Sequence, residues 1–67
     1  MVFKIIGPYI KLGQLLKAAN LVETGSDAKE AILNGEVTVN GDVAYQRGKK
    51  IVPGDSVSFE GKVIDCI

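Results

Sequence analysis

Ala31-Ile32-Leu33-Asn34-Gly35-Glu36-Val37-Thr38-Val39-Asn40-Gly41 decides the fold, because the apolar period changes at Gly35. Up to Leu33 the apolar positions keep helical spacing. Beyond Gly35, Val37 and Val39 alternate with Glu36 and Thr38, the period of a half-buried strand. The glycine at this junction reads as a helix C-cap, and Asn40-Gly41 as a tight hairpin turn, since both sites favour positive φ.

Working back from this stretch, Ala28, Ala31 and Ile32 form one face of a helix whose other side carries Lys29, Glu30 and Asn34. Its start lies in Glu23-Thr24-Gly25-Ser26-Asp27, where Thr24 with Asp27 three residues on is a variant capping box and Ser26 a competing cap. Before it, Leu12, Leu15, Leu16 and Ala19 give a second one-faced helix from about Lys11 to Asn20, so the two helices form a hairpin. Residues 2–6 predict a short strand ended by Gly7-Pro8. Forward of Gly41, Val43 and Tyr45 fit a return strand, and residues 46–50 a polar, basic connector. Ile51-Val52 is a brief apolar run, Pro53-Gly54-Asp55 a turn, and Val57 with Phe59 a strand. A further turn at Gly61-Lys62 leads into a last strand over residues 63–67. The expected fold is α+β: a two-helix hairpin packed on a small, mostly antiparallel sheet with a short N-terminal strand, one domain over residues 1–67. Leu12, Leu15, Leu16, Ala28, Ile32, Val37, Val39, Val57 and Phe59 should share its core.

A chain of 67 residues buries roughly 60% of its unfolded surface, so its core is single and its stability modest. The hydrophobic fraction of 46% excludes a disordered tail. With one cysteine, Cys66, and no histidine, neither an internal disulfide nor a zinc constellation can form. No apolar run is long enough to span a bilayer, and no cleavable signal is legible, so a cytoplasmic setting is expected. Eight Lys and Arg balance eight Asp and Glu, yet the charge is segregated. Arg47, Lys49 and Lys50 occur without an acid between Ala44 and Pro53, while Glu23, Asp27, Glu30 and Glu36 occupy the middle third.

Chemistry that would make an enzyme is missing from the pattern. No histidine, no nucleophile–base spacing and no Gly-rich phosphate loop is present, and the glycines sit at turns. The expectation is a non-enzyme with no catalytic residue, cofactor or metal ligand.

The ordered set Thr24-Gly25-Ser26-Asp27-Ala28-Lys29, Ile32, Gly35, Val37, Val39-Asn40-Gly41, Gly54-Asp55 and Val57 resembles the RNA-binding domain first named from ribosomal protein S four, with its α-L motif. Each motif alone is weak; their order across about 45 residues is fairly specific. The stretches Ile10-Lys11-Leu12-Gly13-Gln14-Leu15-Leu16-Lys17 and Arg47-Gly48-Lys49-Lys50 are similar to the stand-alone bacterial YaaA-like and YbcJ-like members. The resemblance implies that the helical hairpin and the adjoining strand face lie on structured RNA, ribosomal or transfer RNA, in a translation- or ribosome-associated role. Carried over by position, Thr24 takes the family's serine, Lys29 its second basic residue, and Asn40 with Gly41 the hairpin turn. Gly25 stands where many members have arginine.

Phosphate binding needs several cations on one face. Lys17, Thr24, Lys29, Asn40, Arg47, Lys49 and Lys50 are the candidate RNA-binding residues, with strand-like alternation pointing Arg47 and Lys49 the same way. Arg47, the only arginine, offers a planar fork of donors. Tyr9 and Tyr45 suit packing, or stacking on an unpaired base. The chain is expected to be a monomer, and the competing reading is a protein-interaction module, for example an adaptor for ribosomal or other translation-associated proteins. Salt separates the two, because phosphate contacts weaken steeply with ionic strength and an apolar interface does not.

Overall fold

The computed structural model describes residues 1–67. Elements run in chain order β1 (Val2–Phe3), β2 (Ile10–Lys11), α1 (Leu12–Ala18), α2 (Gly25–Leu33), β3 (Val37–Val39), β4 (Asp42–Val43), β5 (Lys50–Ile51), β6 (Ser56–Phe59) and β7 (Lys62–Cys66). The expected α+β architecture is present. The main sheet has the order β1-β7-β6-β3-β4, antiparallel except for β1 against β7. β2 and β5 form a separate antiparallel ribbon.

Alternation explains the packing. Val37 and Val39 on β3 lie opposite Phe59 and Val57 on β6, and Val57 lies opposite Ile64 on β7. All of these are buried in one core with Leu12, Leu15 and Leu16 of α1 and Ala28, Ala31 and Ile32 of α2. Every residue expected in the core is there, joined by Ile5, Ala31, Ala44, Ile51, Ile64 and Cys66. The small Ala28 and Ala31 face inward on α2 and let the two helices pack closely.

Gly35 ends α2 at φ +74°, and the Asn40-Gly41 turn takes φ 51° and 88°, both as the sequence predicts. Five boundaries differ. The N-terminal strand covers only Val2–Phe3 of residues 2–6, although the Ile5 N–H still reaches Ile67 O at 2.8 Å. Ile10–Lys11 is extended and paired with Lys50–Ile51 before α1 begins, so Ile51 is fixed by the β2–β5 ribbon. Tyr45 lies off the return strand, which stops at Val43. The turn expected at Gly61-Lys62 falls one residue earlier, because Glu60 accepts φ 51° beside Gly61 at 76° and Lys62 opens β7 opposite Phe59. Residues 46–50 are not a strand up to Lys49: the Lys49 N–H bonds Gln46 O at 3.2 Å, a turn in which period-two alternation does not hold.

Candidate nucleic-acid interface

α1 begins at Leu12 with no side-chain cap from Lys11. Its first free amides are satisfied by the connector, Leu12 N–H donating to Lys49 O and Gly13 N–H to Arg47 O, each at 2.9 Å. Those bonds lash the connector across the helix start, with Gly13 at the closest approach, where a Cβ would lie 3.4 Å from Arg47 Cβ, the near limit of ordinary contact. The N-terminus of α1 is therefore occupied by carbonyls, and the connector's side chains are held against the helical hairpin.

The result is a groove of 390 Å³ lined by Lys11, Gly13, Gln14, Lys17, Gly25, Arg47 and Gly48, with no apolar and no acidic residue. Lys29 stands one turn beyond Gly25 on α2, on the same side of that helix. No side-chain hydrogen bond of the molecule uses a lysine or the arginine. At the start of α2, Thr24 Oγ1 accepts from the Asp27 N–H at 3.1 Å, the expected cap, so Ser26 is not the cap. The Gly25 and Ser26 amides, in the first turn of α2, have no intrahelical acceptor, and Gly25 lines the groove.

The acids lie elsewhere. Glu23, Asp27, Glu30, Glu36 and Glu60 line a second groove of 340 Å³. Three of the eight cations and five of the eight acids thus gather in separate grooves, so the zero net charge describes neither.

Of the sequence-derived candidates, the structure brings Lys17 and Arg47 into one groove and sets Lys29 nearby. Lys49 and Lys50 leave it. Lys49 lines a separate concavity with Asn40 and Asp55, so it does not point with Arg47, because the turn at Gln46–Lys49 breaks the alternation. The Lys50 ammonium sits 4.9 Å from the centre of the Tyr9 ring, a cation–π contact on the β2–β5 ribbon. Asn40 is spent on the fold: Nδ2 donates to Asp55 Oδ1 at 3.0 Å and Oδ1 accepts from the Ser56 N–H at 2.9 Å. Asp55 Oδ2 also accepts from the Val52 N–H at 3.0 Å. That backbone bond, then the Asn40 amide and the nearby Lys49 charge, holds the Asp55 carboxyl below its usual range despite partial burial. The Asn-Gly and Gly-Asp motifs are therefore two halves of one clamp between the β3–β4 turn and the start of β6.

Sequence reading missed two members of the basic groove. Lys11 and Gln14 are not among the candidate RNA-binding residues of the sequence. The usable signal was their spacing with Lys17, since residues 11, 14 and 17 lie near one helix face. Cys66 is buried, and burial first, then Asp55 and Asp65, pushes its thiol up, so it is held as an unreactive thiol.

The S4 domain family matches residues 3–66. YbcJ of Escherichia coli (strain K12), named as a candidate RNA-binding protein, is 40% identical over 60 residues, covering 90% of this chain and 86% of that one. RlbA of Bacillus subtilis (strain 168), named as a probable ribosome maturation protein, is 42% identical over 52 residues, covering 78% of this chain and 73% of that one. The solution structure of E. coli YbcJ, described as an α-L motif involved in RNA binding, superposes with a TM-score of 0.75 at 37% identity, covering 98% of this chain and 85% of the other. Together with the helical hairpin, the sheet order and the clamp between its two signature turns, these matches establish that the chain belongs to the S4 domain family.

Proposed function

We propose that this chain is a non-catalytic module that holds structured RNA through its phosphates, in the groove lined by Lys11, Lys17 and Arg47 with Lys29 at its margin. One observation carries the reading: three cations share a groove free of carboxylates and apolar residues, while five carboxylates gather in another. Such a surface suits an anionic polymer and is poorly suited to an apolar protein interface. The free Gly25 and Ser26 amides at the start of α2 add donors of the kind that phosphates take at helix N-termini. Double-helical RNA is read mostly by shape and phosphate position, which matches a groove of cations without an aromatic reader.

The ribosome-maturation name of the B. subtilis relative supports ribosomal RNA as the ligand and a role in ribosome maturation, with transfer RNA the other structured candidate. The structural candidates Thr24 and Asn40 act in this reading as scaffold, and Lys49 and Lys50 as flanking charges.

The test is binding of a structured ribosomal RNA fragment, measured by fluorescence anisotropy, to the wild type and to Lys17→Glu/Arg47→Glu. The reading expects the double variant to keep its circular dichroism spectrum and lose binding. Retained affinity would shift the function to a protein-interaction adaptor.

A further inference from the structure

On the far side of the connector lies a concavity of 450 Å³, within the range of about 300–1,000 Å³ typical of small-ligand clefts. Tyr45 forms one wall and is 61% exposed. Its ring edge has a seat at the end of α2: a Cβ at Gly35 would lie 3.5 Å from Tyr45 Cε1 and from its hydroxyl, ordinary contact distance, so the ring lies against this backbone while φ +74° is what favours the glycine. Val43 packs at the same place, 3.7 Å from that Cβ position. Asp42, Gln46 and Lys49 also line the space, and none of their side chains is used in a hydrogen bond within the chain. Asn40 and Asp55, by contrast, are consumed by each other and by the backbone.

An aromatic plate, a free carboxylate, a free amide and a free ammonium are a complementary set for one nucleotide. The ring stacks on a base, the carboxylate accepts from its amino or ring N–H groups, the amide donates or accepts, and the ammonium meets the phosphate. Position supplies the second argument. Arg47 and Gly48 line the basic groove, while Gln46 and Lys49 of the same turn line this concavity. The Gln46–Lys49 turn thus contributes to both concavities, and an RNA segment lying across it faces the two together.

We infer that this concavity receives a single unpaired nucleotide, a bulge or a helix-flanking base, stacked on Tyr45. The inference rests on the proposed RNA binding by the adjacent groove and adds what that groove lacks, a preference among structured RNAs. A paired base cannot enter, because its stack and its pairing edge are already in use.

The experiment compares a short RNA duplex with the same duplex carrying one bulged 2-aminopurine. The wild type should bind the bulged RNA roughly 5- to 150-fold tighter, the range expected for stacking one base on an aromatic ring, and 2-aminopurine fluorescence should fall on binding. Tyr45→Ala should lose the preference and the quenching while binding the plain duplex as before, and Tyr45→Phe should keep both. Equal wild-type affinity for the two RNAs, or a Tyr45→Ala loss shared equally by the plain duplex, overturns the inference and leaves the phosphate groove standing. Quenching reversed by micromolar free GMP also overturns it, because the concavity is then a mononucleotide site. Failure of the wild type to bind either RNA overturns the phosphate groove, and the nucleotide site falls with it.

Discussion

The two charged grooves flank the same helix and differ in every respect that matters for an anion. On one side of α2, Gly25 opens to Lys11, Lys17 and Arg47 with Lys29 one turn on; on the other, Glu23, Asp27 and Glu30 join Glu36 and Glu60. Both are about the same size, 390 and 340 Å³. The basic one is assembled from distant sequence by the bonds from Leu12 and Gly13 to the connector carbonyls, whereas most acids of the other come from one helix and its flanks. The lesson is that net charge measures a sum, and binding depends on the local field. No carboxylate lines the basic groove, so its three cations set the field met by an anion that enters it.

Charge reversal breaks this comparison most severely. Lys17→Glu/Arg47→Glu should weaken RNA binding about 100-fold or more, as two charge-assisted contacts become repulsions. Glu23→Lys/Glu60→Lys on the acidic side should leave affinity unchanged or slightly raised. Equal losses from the two pairs would mean that the grooves are not functionally distinct.

Asn40→Ala separates scaffold from ligand contact. It removes both amide bonds of the clamp and puts alanine at φ 51°, so denaturant unfolding should show a loss of about 1–2 kcal/mol. Under conditions where the variant is folded, the salt dependence of RNA binding should match the wild type. A flattened salt dependence would return Asn40 to the interface.

Gly25→Arg sharpens the contrast by a smaller step. Nothing lies within 4 Å of a Cβ at Gly25, which lines the basic groove, so an arginine fits and adds one phosphate partner. Affinity should rise several-fold at low salt, with the slope of log K against log salt steeper by about 0.9. The smallest effect is on stability at acid pH. Asp55 has its carboxyl below the ordinary 3.8 in the folded chain, so the unfolded chain takes up the proton first as pH falls. The stabilisation is complete above the ordinary value and is lost progressively as pH drops through the lower, folded one. Asp55→Asn should remove that part of the acid sensitivity in a urea titration.

The core was legible in the sequence because it depends on period. Leu12, Leu15 and Leu16, then Ala28 and Ile32, then Val37, Val39, Val57 and Phe59 each repeat at helical or strand spacing, and all are buried. What period does not carry was missed. The pairing of Ile10 with Ile51 joins residues 41 positions apart, and no local pattern announces it. The Glu60-Gly61 turn uses a residue rarely chosen for positive φ, so the next glycine-containing pair drew the reading. Of the candidate cations, Lys17 is legible from the exposed side of its helix and Arg47 from the acid-free connector, and the structure sets both in one groove, but strand-like alternation puts Arg47 and Lys49 on one side. Their separation depends on a turn fixed by the α1 amides, a tertiary contact. Asn40 was legible as a turn residue, while its partner Asp55 lies 15 residues on and shows only in three dimensions.

The most direct test of the central claim is the salt dependence of binding to a structured RNA helix by the wild type and by Lys17→Glu/Arg47→Glu, over low to moderate ionic strength. With about four phosphates engaged by Lys11, Lys17, Lys29 and Arg47, the account predicts a slope of log K against log salt near −3 to −4 for the wild type. It predicts binding too weak to measure for the double variant. A wild-type slope near zero, or a double variant that binds with the wild-type slope, would contradict it.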